Sequence, residues 1–360
     1  MKICIVGLPQ SGKSSLFSAL TGASTEPATA KGADPIAVIK VPDPRLERLA
    51  RIFEPKKKTA AAIEFVELQG ISAGDQKQTT FSEQFLGKLR TADALLSVVR
   101  SFRGPAVPHP LDSIDARRDL AALETEFLLS DLAIVESRLD RLRKQIAAKK
   151  SDRDVWELAA LEKCKAALDS EMPLRRIDLS EDEEALLRGF RFLTRKPLIA
   201  VVNLDEDEIR CEAEILAPFA DWASEARSAA VGLSARLEGE IRQLPDKDAP
   251  QFRSDFGIGS SALDRLIATA YRMMGLISFF TVGSDEVKAW TVNDGTVATR
   301  AAGIIHSDIE RGFIRAEVVS FEHFVVRGDI AGCRTDGTLR LEGKTYPVRD
   351  GDIINFRFAV

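Results

Sequence analysis

The sequence predicts an α/β chain: a mostly parallel sheet with helices on both faces, an inserted antiparallel helical hairpin and a small β-rich C-terminal domain. Three observations predict it. Short apolar runs alternate with stretches whose apolar residues fall at helical spacing, the pattern of a parallel sheet. A long helical region rich in Ala, Leu, Glu, Arg and Lys breaks that rhythm from about Asp115 to Leu168. After 271–283 the texture changes to short alternating segments separated by Gly and Asp turns.

KICIV (2–6) is a buried strand by composition. GLPQSGKSS (7–15) follows, then SLFSALTG with helical spacing: strand, glycine loop, helix. AIEFVELQG (62–70), ADALLSVVRSF (92–102) and KPLIAVVNLDE (196–206) read as further strands. AAVGLSARLEGEI (229–241) reads as a fifth strand and a helix start. In the helical region Leu128, Leu132, Val135, Leu139, Leu142 and Ile146 alternate spacings of four and three, a heptad seam. KKSDRD (149–154) is the expected turn, and Leu158, Leu161, Cys164 and Leu168 mark the returning helix. A protruding hairpin fits the narrow seam and charged flanks; two packed surface helices is the plainer alternative.

Composition narrows the function classes. The 360 residues are 45% hydrophobic and 29% charged, with a formal net charge of −5. A globally basic nucleic-acid binder is excluded, while local basic patches stay open. No run of about 20 apolar residues marks a membrane span, and the N-terminus lacks a secretory pattern. A cytoplasmic protein without a membrane partner is expected. Cys4, Cys164, Cys211 and Cys333 lack a CxxC pair, and His109, His306 and His323 lie far apart. This argues against zinc, disulfide and histidine-triad chemistry.

Gly7, Gly12, Lys13 and Ser14 fit G-x-x-x-x-G-K-[ST] between a strand and a helix, the context in which that spacing cradles phosphates. Pro9, Gln10, Ser11, Gly12, Lys13, Ser14 and Ser15 are the expected nucleotide contacts. Backbone N–H groups turn inward at negative charge, and the helix start adds its positive end. Lys13 is the expected catalytic cation at the β- and γ-phosphates, and the Ser14 hydroxyl the expected Mg²⁺ ligand. The fold class is therefore a P-loop NTPase of Ras-like, G-type layout.

EFVELQG supplies Glu67 and Gly70 where D-x-x-G usually stands. Gly70 is expected to bond the γ-phosphate, as a second catalytic residue, and Glu67 to hold Mg²⁺ through water. The plainer reading of Glu67 is a strand-end carboxylate facing solvent. Ile71 follows, where Ras-like GTPases carry a Gln that orients the attacking water; Ile cannot do so. Asn203, Leu204, Asp205 and Glu206 form N-x-x-E in place of the guanine-reading N-K-x-D, so ATP and GTP both stay open. Ser234 and Ala235 are the small residues expected beside the base.

At this point IVGLP-x-x-GKS-x-LF-x-AL-T, VPDPRLERLA, EFV-x-x-x-G, TADALLSVVRSF, N-x-x-E, FFTVG-x-x-EV-x-AWTV, IIHSDIERGFIRAEVVSFE and the ending V-x-DGDIINFRF resemble, over essentially the whole chain, the YchF family of Obg-like ATPases. The resemblance implies a P-loop NTPase domain (1–112 and 190–276), a coiled-coil insertion (113–189) and a C-terminal TGS domain of β-grasp-like fold (277–360). It implies ATP binding with slow hydrolysis, adenine contacts at Asn203 and Leu204 made partly through backbone, and ribosome association in translation or stress control. The sequence departs from the family pattern in several places. Gln10 replaces an Asn tied to potassium-assisted hydrolysis. Switch I is shortened, with Lys31 or its neighbours where a Mg²⁺-ligating Thr is usual; Thr29 is nearby but is not assigned that role. Glu67 and the stretch DQKQTTFSEQF, in place of a Gly-rich run, complete the set. These changes gather on the hydrolytic parts and describe a divergent paralogue with weak hydrolysis.

Arg138, Arg141, Arg143, Lys144, Lys149, Lys150 and Arg153 gather near the expected hairpin tip. They are candidates for ribosomal RNA phosphates, against the plainer reading of a solvated charged face. Phe279, Phe280 and Phe313 read as core. The expected function is a slow ATPase switch on the ribosome. A GTPase, or a module that binds nucleotide with little turnover, are the alternatives, and a monomer is the favoured state.

Overall fold

The computed structural model describes residues 1–22, 34–68, 81–104, 107–149, 151–245, 247–255 and 261–359. Thr29, Lys31, Gln69, Gly70, Ile71 and Lys150 therefore lie outside the described residues. The chain runs β1 (Lys2–Val6), α1 (Lys13–Thr21), β2 (Ile36–Lys40), α2 (Pro44–Phe53), β3 (Lys57–Thr59), β4 (Ala62–Glu67), α3 (Glu83–Arg90) and β5 (Ala94–Arg100). Then come the long α4 (Ala116–Ala148), α5 (Asp152–Asp169), β6 (Leu198–Asn203) and β7 (Ser228–Leu233). The C-terminal strands are β8 (Leu276–Thr281), β9 (Glu286–Asn293), β10 (Phe313–Ser320), β11 (Arg340–Glu342) and β12 (Asp352–Phe358).

The chain divides into two units, Met1–Val38 with Glu64–Leu266, and Ile39–Ile63 with Ile267–Val360. The first carries a sheet of order β2-β4-β1-β5-β6-β7. β1 pairs in parallel with β4 and β5, and β6 pairs in parallel with β5 and β7. Every residue of β5 and β6 is buried. Helices cover both faces of these parallel strands, which is why β5 and β6 are continuous apolar runs instead of alternating ones. Because the strands are parallel, the loops after β1, β5, β6 and β7 leave one edge, where open α/β sheets bind ligands.

α4 does two jobs along its length. Leu120, Leu123 and Phe127 enter the α/β core beside Phe81 and Phe85. Further along, Val135, Leu139 and Leu142 pack with Leu161, Cys164 and Leu168 of α5. The heptad seam thus closes an antiparallel pair, while Leu128 and Leu132 are only half-buried at its root. The four cysteines are all free. Among the described residues no helix is long and apolar enough to cross a membrane.

The second unit holds a sheet of order β11-β10-β12-β8-β9-β3. Its core includes Phe279, Phe313, Val318 and Phe356, and Phe280 is buried as well. The sequence reading leaves 39–63 in the nucleotide-binding domain; here that segment joins the C-terminal unit. β3 pairs in parallel with β9. Arg45, in the first turn of α2, donates to Asp43 at 2.9 Å and to Asp350 at 2.8 Å.

Candidate functional site

The loops after β1, β5, β6 and β7 enclose a cavity of about 820 Å³. The first loop contributes Gln10, Gly12, Lys13, Ser14 and Ser15, and the second Phe102, Arg103, Gly104 and Val107. Asn203, Leu204, Asp205, Glu206 and Asp207 come from the third, Ser234 and Arg236 from the fourth. Three of the expected nucleotide contacts stand off the lining, as does Glu67. Pro9 is half-buried; Ser11 and Ala235 are buried behind the wall, where their backbones take bonds described below.

Local geometry explains the glycines of the first loop. At Gly7 a Cβ would lie 2.4 Å from the Val98 carbonyl oxygen. Gly12 has φ of +96°, and a Cβ there would lie 2.1 Å from Asn203 Nδ2. Gly12 also starts α1, accepting the Leu16 N–H at 2.9 Å. The first N–H groups of a helix have no partner within it, so they are free to meet an anion.

The chemistry-bearing side chains converge on this loop. Lys13 Nζ donates to the carbonyls of Gly7 at 3.0 Å and Leu8 at 2.8 Å. Burial pushes its ammonium down to about 8, opposed by the nearby Glu67 carboxylate. Ser14 Oγ donates to Glu67 Oε1. Glu67 is 8% exposed, so it is not a carboxylate facing solvent. The pair brings a hydroxyl and a carboxylate together where the sequence reading expects a cation.

Asn203 builds the other end of the site. Its Nδ2 donates to the Ser11 carbonyl and its Oδ1 accepts the Ala235 N–H, both at 3.0 Å. Ser234 caps the following helix, accepting the Leu237 N–H at 3.4 Å. The Leu204 side chain is buried in the core, so it is the residue's backbone side that borders the cavity. Glu206 is ion-paired with Arg236, Nε to Oε1 3.1 Å.

The wall after β5 carries residues that the sequence reading missed. Buried Arg100 donates to the carbonyls of Phe102 at 3.1 Å, Gly104 at 3.3 Å and Val107 at 3.0 Å. Its guanidinium carbon lies 4.5 Å from the centre of the Phe102 ring. One buried cation thus moulds the loop that presents Phe102 and Arg103. Asp205 Oδ2 accepts the Arg103 N–H at 2.7 Å, joining this wall to the N-x-x-E loop. The available signal was topological: SFRG follows a strand of the same parallel sheet, at the same edge as the glycine loop. His109 is not on the lining; its Nε2 lies 2.8 Å from Asp119 Oδ2, and its Nδ1 accepts the Leu111 N–H.

Fold and site together define a P-loop NTPase of the GTPase type. Residues 2–135 match a family described as 50S ribosome-binding GTPase, and residues 276–359 match one described as YchF-GTPase_C, protein of unknown function. The ribosome-binding ATPase YchF of Bacillus subtilis is 40% identical, over 99% of this chain and 98% of its own. Its counterpart in Escherichia coli O157:H7 is 38% identical over 100% and 99%. The solved YchF GTPase of Schizosaccharomyces pombe superimposes with a TM-score of 0.88 at 29% identity, over 99% of this chain and 97% of its own. The chain belongs to the YchF family.

Proposed function

We propose that the chain binds a purine nucleoside triphosphate with Mg²⁺ and works as a slow, ribosome-associated ATPase switch in the cytoplasm. The observation that carries this reading is the Asn203 amide, which locks the phosphate loop to the base-end loops around one cavity. In the reading, Gln10 to Ser15 hold the phosphates, with Lys13 as the catalytic cation. Gly70 bonds the γ-phosphate. Asn203, Leu204, Glu206, Ser234 and Ala235 surround the base, with Phe102 as an added wall. The relatives named ribosome-binding ATPases support ATP over GTP and the ribosome as partner. The hairpin (113–189) and a TGS-type C-terminal domain (277–360) are the proposed ribosome-facing parts.

The residues present fit Mg²⁺. That ion takes hard oxygen ligands and usually keeps several waters; the Ser14 hydroxyl would be one ligand, and Glu67, bonded to it, would hold the ion through water. When bound, the ion would offset the negative charge of the phosphates. Ser14 would supply a neutral oxygen ligand, and Glu67 the balancing anion.

A second reading, binding with little turnover, is favoured by Ile71 in the place of a water-orienting Gln. Competition of ATP and GTP against a fluorescent nucleotide, with phosphate release measured with and without ribosomes, separates the readings. ATP preference with ribosome-stimulated release is expected. A clear GTP preference overturns the ATP assignment, and no release in either condition leaves only the binding reading.

A further inference from the structure

The hairpin tip carries a combination that its own packing does not need. Trp156, in the second turn of α5, is 66% exposed, whereas Trp222 is buried. The seam closes through Leu161, Cys164 and Leu168 without it. Trp is the residue type most concentrated at binding hot spots, because its large rigid face gains most from being covered.

The sequence leading to this residue is rich in cations. From Asp140 to Trp156 the sequence holds six cations and three carboxylates, on a chain whose net charge is −5. The structure sorts the cations. Arg138 is committed to Glu157 at 2.7 Å and Arg143 to Glu162 at 3.3 Å across the hairpin. Arg141 turns back to Ser137 Oγ at 2.7 Å. Lys144, Lys149 and Arg153 are exposed, and among the described residues they make no ion pair or side-chain hydrogen bond. Arg153 stands three residues before Trp156, on the same face of the helix. Asp152 and Asp154 flank it and weaken the local field without pairing to it.

We propose that the hairpin tip docks a single-stranded RNA segment, Trp156 stacking on an unpaired base while Lys144, Lys149 and Arg153 meet the flanking phosphates. A π-face accepts any base, and the cations accept the backbone. Duplex RNA offers the phosphates but keeps its base faces stacked away. A peptide of acidic residues alone satisfies the cations and offers no flat ring to the indole face, whereas one strand of RNA supplies both. The inference rests on the ribosome reading above and names the chemistry of that contact.

The test uses the full-length protein, a short labelled oligouridylate, a duplex RNA of equal length and purified ribosomes. Trp156→Ala is expected to weaken oligouridylate binding by about 5- to 150-fold, the range for one stacked base. Trp156→Phe, which keeps a ring, should stay within about threefold of wild type, since stacking tolerates any aromatic face. Replacing Lys149 and Arg153 by Gln should lower the salt slope by about 1.4, roughly 0.7 for each single-strand phosphate contact. Equal affinity for the duplex, or no change on Trp156→Ala, overturns the proposal. If Trp156→Ala reduces co-sedimentation with ribosomes but leaves oligouridylate affinity intact, the contact is protein and the RNA assignment falls. If oligouridylate binding is absent while wild type still co-sediments with ribosomes, this inference fails and the ribosome reading stands.

Discussion

Asn203 Nδ2 donates to the Ser11 carbonyl at 3.0 Å across 192 positions of sequence, so the base-end loop is fastened to the phosphate loop by one side chain. Its Oδ1 takes the Ala235 N–H from a third loop. Both bonds are buried, and neither Ser11 nor Ala235 needs its own side chain for them. Asn203→Asp places an acceptor against the Ser11 carbonyl. We expect a loss of about 1–3 kcal/mol in stability, the cost of stranding buried polar groups. Nucleotide affinity should fall by more than about tenfold, because separate loops must then be ordered on binding. Asn203→Ala should lie between wild type and Asn203→Asp in both stability and affinity. Urea unfolding and nucleotide competition check this, and wild-type affinity in Asn203→Asp refutes the fastening role.

Lys13 gives the site a pH signature. Its ammonium is held down to about 8 by burial, against an ordinary value of 10.5. Between those two values the unfolded chain binds more protons than the folded one. This residue's contribution to stability therefore rises with pH across that window. Triphosphate binding runs the other way, because it favours the charged ammonium. Affinity should fall as pH rises above about 8, by up to about tenfold per unit. Calorimetry at pH near 9 in buffers of different ionisation enthalpy should detect uptake of about one proton on binding. Lys13→Ala should lose tight triphosphate binding, and any residual binding should take up no such proton.

The parts legible in the sequence are those written contiguously. β1, β5 and β6 are buried on both faces and so spell apolar runs. The α4–α5 seam spells a heptad. The phosphate loop is one short segment whose spacing is its chemistry. What stayed hidden depends on partners far along the chain. PRLERLARIF is an amphipathic helix in any domain; Arg45 meeting Asp350, 305 positions away, helps to assign it to the C-terminal unit. Glu67 could be picked out by position, but not its bond to Ser14, 53 positions away. The basic hairpin cluster was visible as composition, while its division into paired Arg138 and Arg143 and exposed Lys144, Lys149 and Arg153 needed the facing helix.

Two glycines should respond in opposite directions to alanine. Gly12→Ala drives a Cβ into Asn203 Nδ2 at a left-handed φ of +96°. It should destabilise by about 2 kcal/mol or more through backbone strain and clash, and abolish nucleotide binding. Gly87 lies within α3, and a Cβ there meets nothing within 4 Å. Gly87→Ala should stabilise by about 0.4–1 kcal/mol, since alanine is the better helix former and restricts the unfolded chain. Thermal unfolding of both variants is the measurement, and a stabilised Gly12→Ala contradicts the close approach of the two loops.

The root of the hairpin is held by a buried carboxylate. Asp131 of α4 is fully buried. It accepts from Arg90 Nη1 at 2.7 Å, the Leu193 N–H at 3.1 Å, and the Thr194 N–H and hydroxyl at 2.8 Å each. The helix is thereby joined to α3 and to the segment entering β6, at the level where it leaves the α/β core for α5. Asp131→Ala strands two buried N–H groups and removes the counter-charge of a largely buried guanidinium. Breaking a buried pair in this way costs about 3 kcal/mol or more. Asp131→Asn keeps the shape and one acceptor oxygen, and should cost about half as much, because hydrogen bonds to a neutral group are weaker. Hydrogen exchange should speed at Leu193 and Thr194 in both variants. A cost below about 1 kcal/mol for Asp131→Ala, the size of an exposed pair, means that water replaces the carboxylate and that the hairpin is not rigidly rooted there.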